Sequence, residues 1–320
     1  MAEFDVFNGD ADGICALQQL RLDEPVRSRL ITGVKREIEL LKRVSAGAGD
    51  RVTVLDISLD KNREALRRLL EEGAEVRYFD HHFAGEVPSH PRLTAIIDPS
   101  PNVCTSLLVD AHLDGRFRAW AVTGAFGDNL DDSARQAAIP LGLDEQRLDQ
   151  LRQLGIYLNY NGYGATVEDL HFPPDELYLA LHPYADPFAF IEESDIFRRL
   201  KAGYETDMEK AGKLQPELET EHYALYRLPA EPWARRVSGV LGNRLAREAP
   251  ERAHALLTRL PEGGYLVSVR APLVSREGAD ELCRRFPTGG GRKAAAGINR
   301  LPEEDLDRFI TAFEEVFGQR

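Results

Sequence analysis

Residues 4–13 read Phe-Asp-Val-Phe-Asn-Gly-Asp-Ala-Asp-Gly, an apolar run followed at once by a polar, glycine-bounded turn. The run is typical of a buried β-strand, and the turn places Asp10 and Asp12 where that strand ends. In an open α/β sheet the carboxyl ends of parallel strands line one edge, and ligands bind there. This segment therefore predicts both a fold class and the position of a functional site.

The same pattern recurs three times along the first 130 residues. We interpret the apolar runs Val52–Leu55, Val76–Phe79 and Ala121–Phe126 as further buried strands. The residues that follow them are Asp56, the triplet Asp80-His81-His82, and Asp128. Meeting at one sheet edge, so many carboxylates are unstable unless cations neutralise them, and the two imidazoles add metal-binding nitrogen. The pattern predicts a centre for divalent metal ions, most simply a centre that holds two ions.

Each of these residues also has an ordinary structural interpretation when taken alone. Asp10 and Asp12 could form a polar turn or cap a helix, and Asp56 could cap the helix after its strand. Adjacent histidines directly after a buried strand are harder to explain as core residues. The four groups occurring in order at strand ends favour the metal centre over four independent turns.

Composition narrows the class of protein. The chain has 320 residues, enough for two domains, and a net charge of −13, which argues against tight binding to long nucleic acid. The segment Leu225–Arg320 is mildly basic, with 16 Lys+Arg against 13 Asp+Glu, and suits a small phosphorylated substrate. No apolar run reaches membrane-spanning length, no secretory signal is visible, and three cysteines make no disulfide framework, so we expect a cytoplasmic protein.

Strand-like and helix-like segments alternate over the first 130 residues, which predicts a parallel sheet with helices on both faces. We expect a catalytic domain at 1–195, a helical linker at 196–221 and a smaller α+β substrate-binding domain at 222–320, with the site in the cleft between the two domains. The predicted helices of the first part are Ile14–Leu20, Arg36–Val44, Lys61–Glu72, Asp144–Leu154 and Pro187–Leu200.

Five segments together resemble the motifs of a known family. Asn8–Gly13, Asp56 within Val54–Ser58, Asp80–His82 and Gly124–Asp128 are similar to the four N-terminal motifs of the DHH phosphoesterase superfamily, which includes enzymes of the RecJ and NrnA types. Gly289–Gly297 resembles the glycine-rich signature of the DHH-associated C-terminal domain. The resemblance spans almost the whole chain, with the motifs in the right order.

The resemblance implies a role for each residue of the centre. Asp10 would bind one metal ion, Asp12 the second, and Asp56 would bridge them, while His81 and Asp128 would complete the second site. Two Mn²⁺ ions are implied, with Mg²⁺ or Co²⁺ as alternatives, and a two-metal hydrolysis. The implied catalytic residues are His82, which would face the scissile phosphate, Asp80, which would orient the histidine pair, and Asp56.

Two positions depart from the family pattern. Asn8 or Val6 stands where relatives supply a further His or Asp, so Asn8 would be an uncharged ligand of a weak first site. Arg292 stands where many relatives have His. The expected substrate-binding residues are Arg270, Gly289, Gly290, Gly291, Arg292 and Lys293, whose backbone amides and charges would hold a phosphate. The alternative for the glycine run is a flexible surface loop. The alternative for Arg270 is a surface charge at the end of a strand.

These observations lead to an expected function. The chain would be a metal-dependent phosphodiesterase that hydrolyses short nucleic acids, such as linear dinucleotides including pGpG. We expect it to bind neither long duplex nucleic acid nor a membrane, and a homodimer is compatible with the sequence. Three alternatives remain open: a RecJ-like single-strand 5′-exonuclease, an inorganic pyrophosphatase, and a non-catalytic protein that binds a phosphorylated ligand.

Overall fold

The computed structural model describes residues 1–318, and the chain divides into two compact units, Met1–Gly203 and Tyr204–Arg320. Within the described part of the chain, no helix has the length and apolar character needed to cross a bilayer. All three cysteines are buried thiols.

The first unit is built on a sheet of five parallel strands. They are β1 (Glu3–Phe7), β2 (Arg29–Ile31), β3 (Arg51–Leu55), β4 (Glu75–Asp80) and β5 (Leu93–Ile97), in the spatial order β2-β1-β3-β4-β5. Its helices are α1 (Ala11–Asp23), α2 (Leu59–Glu71), α3 (Thr105–His112), α4 (Arg118–Gly127), α5 (Asp131–Ala138), α6 (Glu145–Asn161), α7 (Pro174–Leu181), α8 (Pro187–Glu193) and α9 (Asp195–Ala211), the last of which continues into the second unit. The predicted α/β class with a parallel sheet is confirmed.

Alternate residues of the strands point to opposite faces, and helices cover both. Val6, Val54 and Tyr78 pack in one buried cluster with Leu66 and Leu69 of α2. On the other face, the ring of Phe7 contacts Tyr178 of α7, and the ring of Phe79 contacts His112 of α3. The strand order reverses between β1 and β3, so the carboxyl ends of these two strands flank the switch point where such sheets bind ligands.

The expected strand at Ala121–Phe126 is wrong, because this segment lies within helix α4. Every residue from Trp120 to Gly127 is buried, so the run carries no amphipathic period, and a short apolar run of this kind fits a buried helix as well as a strand. Close packing is possible because Gly127 lacks a side chain, since a Cβ there would lie 2.3 Å from the Cβ of Ala11. Asp128 consequently follows a helix and not a strand.

Two smaller expectations also need correction, and two short strands were not expected. Arg36–Val44 forms only one turn of 3₁₀ helix, Leu40–Arg43, because Asn62 of α2 binds its backbone: Leu41 N donates to Asn62 Oδ1, and Asn62 Nδ2 donates to Ile38 O. The expected helix Pro187–Leu200 is divided at Ser194, whose Oγ accepts from Ile196 N and caps α9. The short strands β2 and β5 carried no clear alternation and were not expected from the sequence.

The second unit contains a mixed sheet of six strands. They are β6 (Leu218–Glu219), β7 (Tyr223–Leu228), β8 (Ala253–Arg259), β9 (Tyr265–Arg270), β10 (Gly289–Gly291) and β11 (Ala295–Leu301), in the order β10-β11-β9-β8-β7-β6. Strands β7 and β8 are parallel and all other neighbours are antiparallel. The helices are α10 (Pro232–Glu248), α11 (Ala279–Arg284) and α12 (Leu306–Phe317). The predicted α+β character of this region is thereby confirmed.

His254 lies on β8, between β7 and β9, and is only 1% exposed. Its Nδ1 makes no hydrogen bond to any of residues 1–318. Burial, reinforced by the charge of Arg252, lowers the pKa of His254 from 6.5 to about 4. The folded second unit therefore holds this imidazole neutral at pH values where the unfolded chain protonates it.

We expect the second unit to lose stability as the pH falls from about 6.5 to about 4, because in this window the unfolded chain binds a proton that the folded chain does not. Replacing His254 by Leu should remove up to about 3 kcal/mol of that loss at pH 4. Denaturant titrations followed by Trp233 fluorescence, in a Trp120→Phe background, would measure it. Parallel stability–pH curves for the two proteins would contradict the expectation.

Candidate metal centre

The candidate centre is built from loops at the carboxyl ends of three neighbouring strands. Asp10 and Asp12 follow β1, Asp56 follows β3, and His81 follows β4. These side chains are almost fully buried, and all lie in the first unit. The expected convergence at the sheet edge is therefore present in the structure.

Asp10 and Asp12 bind backbone amides of two different helices. Asp10 is the N-cap of α1, and its Oδ1 accepts from Asp12 N at 3.0 Å and Gly13 N at 3.1 Å. Asp12 receives Thr105 N on Oδ2 and Ser106 N on Oδ1, both at 2.8 Å, at the start of α3. Its Oδ1 also accepts from the Ser106 hydroxyl. Both side chains therefore lie at helix N-termini, where the backbone dipole favours negative charge.

Asp56 sits at the centre of the acidic group. Its φ is +60°, in the left-handed region that Asp and Asn tolerate better than most residues. Its Oδ1 accepts from the Thr105 hydroxyl at 3.1 Å. Burial, and then the charges of Asp10 and Asp12, raise the pKa of Asp56 well above its ordinary value. A cation at this position would favour the ionised carboxylate and so oppose that shift.

His81 is oriented as a metal ligand by a backbone carbonyl. Its Nδ1 lies 2.9 Å from Val103 O, an acceptor, so Nδ1 carries the hydrogen and Nε2 presents its lone pair. That Nε2 lies 3.4 Å from Asp56 Oδ1, 3.9 Å from Asp12 Oδ2 and 3.9 Å from Asp128 Oδ2. Three carboxylate oxygens thus lie within 3.9 Å of one imidazole nitrogen. Carboxylate and imidazole ligands together suit Mn²⁺, Fe²⁺ or Zn²⁺.

His82 and Asp80 form a second hydrogen-bonded pair. His82 Nδ1 lies 2.7 Å from Asp80 Oδ1, and Asp80 is completely buried. Burial would lower the pKa of His82, but the bond to Asp80 outweighs it and raises the pKa above its ordinary value. Asp56, His81 and His82 can each bring one ligand atom within 4.8 Å of the others. His82 therefore lies close enough to contact either a metal ion or its substrate.

Lys35 occupies the side of the centre nearest Asp10. Its Nζ donates to Asp10 Oδ2 at 2.5 Å and to Asn159 Oδ1 at 2.9 Å, and lies 3.8 Å from Asp128 Oδ1. Burial would lower the pKa of Lys35, but the Asp10 charge raises it well above its ordinary value. The free oxygen of Asp10 is therefore already paired with a fixed cation.

The residues fit one divalent ion better than two. Asp12, Asp56 and Asp128 supply carboxylate oxygens within 3.9 Å of one imidazole nitrogen of His81. On the Asp10 side, Asn8 Nδ2 donates to Lys35 O at 3.3 Å, and Asn8 Oδ1 has no hydrogen-bond partner among the described residues. One neutral oxygen and a carboxylate already bound to an ammonium make a poor site for a second divalent cation.

The expected substrate-binding residues lie in the second unit and make internal contacts there. Gly289–Gly291 form strand β10, paired with β11, and not an open loop. The amides of Gly289 and Arg292 donate to Phe286 O and Ala295 O. Arg270 Nε donates to Asn243 Oδ1 at 2.7 Å, and the exposed Lys293 pairs with Glu277 at 3.2 Å. The amides of Gly289 and Arg292 are therefore engaged within the chain.

Glycine at position 289 has a structural reason. A Cβ at Gly289 would lie 1.7 Å from Cys283 O, so no larger residue fits there. The glycine run is therefore required at least in part by the packing of β10 against α11.

The fold and this site define a class before any particular relative is considered: an α/β protein with acidic and histidine side chains that could hold a metal ion at the carboxyl edge of its parallel sheet. No family model and no curated protein sequence matches the chain. Solved structures do match it, at probability 1.00.

Three of these structures show the same fold. The exonuclease RecJ bound to manganese has a TM-score of 0.63 and 19% identity, covering 98% of this chain and 89% of its own. RecJ in complex with Mn²⁺ from Thermus thermophilus has a TM-score of 0.62 and 20% identity, covering 98% and 51%. The pGpG-specific phosphodiesterase PggH from Vibrio cholerae has a TM-score of 0.50 and 14% identity, covering 98% and 96%. RecJ and PggH are DHH-superfamily proteins, so the resemblance drawn from the motifs is confirmed for the fold.

Several residues that shape the centre were not expected from the sequence. Lys35, Thr105 and Ser106 contact its carboxylates, and Asn159 accepts a hydrogen bond from Lys35, yet none of them belongs to the motifs identified from the sequence. The Thr105-Ser106 pair at a helix start could have been found as an N-terminal anion site. Lys35 gave no such signal, because it lies in an irregular loop between β2 and β3.

Asp56→Asn should stabilise the metal-free protein, on the order of 1–2 kcal/mol near pH 8, because it removes a buried charge beside Asp10 and Asp12. Asn tolerates the positive φ of this position, so the backbone should be unaffected. The same variant should lose most of the rise in Tm that Mn²⁺ gives the wild type.

Thermal unfolding with and without Mn²⁺ would measure both effects, and Glu64→Gln, at an exposed position of α2, is the matched control. An Asp56→Asn protein with an unchanged Mn²⁺-dependent rise in Tm would show that Asp56 does not hold metal.

Proposed function

We propose that the protein is a metal-dependent phosphodiesterase that hydrolyses short single-stranded nucleic acids, with linear dinucleotides such as pGpG as the preferred class. One observation carries the proposal: oxygens of Asp12, Asp56 and Asp128 lie within 3.9 Å of His81 Nε2 at the carboxyl edge of the sheet. A divalent cation held there would activate water and neutralise charge on a phosphoryl group.

The chain's own residues have distinct tasks in this proposal. Asp12, Asp56, His81 and Asp128 hold the cation. Asp80 orients the His82 ring through its hydrogen bond and favours the protonated imidazole, which can donate to a phosphate oxygen. The half-exposed position of His82 is compatible with direct contact to substrate.

An exposed aromatic residue favours a nucleotide over pyrophosphate. Phe83 directly follows His82 and is 74% exposed, and its carbonyl accepts from the Ser58 hydroxyl in the loop after Asp56. Aromatic faces stack nucleobases, an interaction that pyrophosphate cannot make. A short substrate also needs few contacts, which agrees with the net charge of −13.

We expect hydrolysis to require a divalent cation and to be highest with Mn²⁺, because the donor set is carboxylate and imidazole without thiolate. His81→Ala should lower the rate by several orders of magnitude, whereas His90→Ala, a loop histidine of the same unit, should not. Turnover of pGpG, longer RNA, single-stranded DNA and pyrophosphate by the metal-loaded protein would measure this. Activity that survives complete chelation would exclude a metal mechanism, and metal binding without hydrolysis of any substrate would favour a phospho-ligand binding protein.

We further propose that Arg270, the strand Gly289–Gly291, Arg292 and Lys293 contribute to substrate binding. Arg292→Ala together with Lys293→Ala should raise KM for a 5′-phosphorylated dinucleotide more than for a chromogenic phosphodiester, by an amount equivalent to about 2 kcal/mol, since these charges would hold the phosphate that is not cleaved.

The matched control for this double variant is Arg259→Ala with Arg300→Ala, which removes the same charge from exposed positions of the second unit. An equal rise in KM for both substrates would indicate a general electrostatic role instead.

A further inference from the structure

Lys35 is held by contacts at its ammonium group and along its backbone. Its Nζ contacts Asp10 of the β1–α1 loop and Asn159 of helix α6. Its own backbone is held at both ends of the residue, because Lys35 N donates to Gly162 O at 2.8 Å and Lys35 O accepts from Asn8 Nδ2 at 3.3 Å. A lysine anchored in this way is part of the centre and not a surface side chain that has folded over it.

The position of Asp128 relates the lysine to the metal site. Its Oδ1 lies 3.8 Å from Lys35 Nζ, and its Oδ2 lies 3.9 Å from His81 Nε2. The two oxygens of one carboxylate thus face the ammonium on one side and the candidate metal position on the other. Asp128 would bridge two cations, of which the protein itself supplies one.

We propose that Lys35 takes the place of one divalent cation, so that the centre holds a single metal ion beside a permanent ammonium. Asp12, Asp56, His81 and Asp128 ligate that ion, while Asp10 is neutralised by Lys35. The ammonium carries one positive charge and three N–H donors. It therefore stabilises phosphate charge from the Asp10 side but activates no water there.

The inference deepens the proposed function and rests on it only for the role of the ammonium in hydrolysis. The number of ions bound is a separate property, which can be measured on a protein that hydrolyses nothing. Wild-type protein should bind one tight Mn²⁺ per chain by equilibrium dialysis with elemental analysis. Its electron paramagnetic resonance spectrum should show an isolated Mn²⁺ ion. Two ions per chain, or the spectrum of a spin-coupled pair, in the wild type would overturn the proposal.

Variants at position 35 test the cause of this stoichiometry. Lys35→Ala leaves Asp10 without its cation, so a second Mn²⁺ should bind and the count should rise to two per chain. Lys35→Arg keeps the charge and should stay at one, as should Lys42→Ala, which removes an exposed lysine from the same loop. A Lys35→Ala protein that still binds one ion would show that the lysine does not replace a metal.

The wild-type count stands by itself if Lys35→Ala does not fold. One ion with no hydrolysis of any substrate tested would contradict the proposed function and leave this inference intact. Two ions per chain together with hydrolysis would contradict this inference and support the proposed function.

Discussion

Electrostatic repulsion among buried carboxylates is the constraint on which the rest of this structure depends. Asp10, Asp12 and Asp56 are each at most 2% exposed and share one sheet edge. At such separations and burial, like charges would disfavour folding unless each is compensated. Asp12 is compensated by two amides and a hydroxyl at the start of α3, and Asp10 by two amides and Lys35. Asp56 accepts from the Thr105 hydroxyl, and burial together with the charges of Asp10 and Asp12 raises its pKa, so positive charge at this position would favour its ionised form.

The need for hydrogen-bond donors beside the carboxylates constrains how the helices around them pack. Helix α3 must start beside Asp12, so its first residues lie close to α1 and α4, where space is limited. A Cβ at Gly124 would lie 2.1 Å from Ser106 Oγ, and a Cβ at Gly13 would lie 2.3 Å from Asn8 O. These small residues allow backbone and hydroxyl donors to reach the carboxylates. The close packing of the helices is thus needed both to fill the core and to bring the donors to the carboxylates.

Much of this arrangement could be predicted from the sequence, because an apolar run followed by polar residues indicates where a buried strand ends. Alternation and the turn after β1 identified Asp10 and Asp12, and the same reasoning located Asp56 and His81. Asp128 was placed at the site for a structural reason that proved wrong, since α4 is buried on every side and its apolar run imitates a strand. Lys35 could not be predicted, because it lies in an irregular loop and its bond to Asn159 of α6 joins residues 124 positions apart.

The structure gives Asn8 a different role from the one expected from the sequence, because Asn8 contacts Lys35. In the sequence it appears as a weakened metal ligand, an uncharged residue where relatives have a charged or imidazole group. In the structure its amide nitrogen donates to the backbone carbonyl of Lys35, a bond that a carboxylate could not make. A negative charge at position 8 would also add a further carboxylate beside Asp10, with one ammonium to neutralise both. In the proposed centre with a single metal ion, Asn8 and Lys35 therefore act together, since Asn8 holds the backbone of the residue whose ammonium neutralises Asp10.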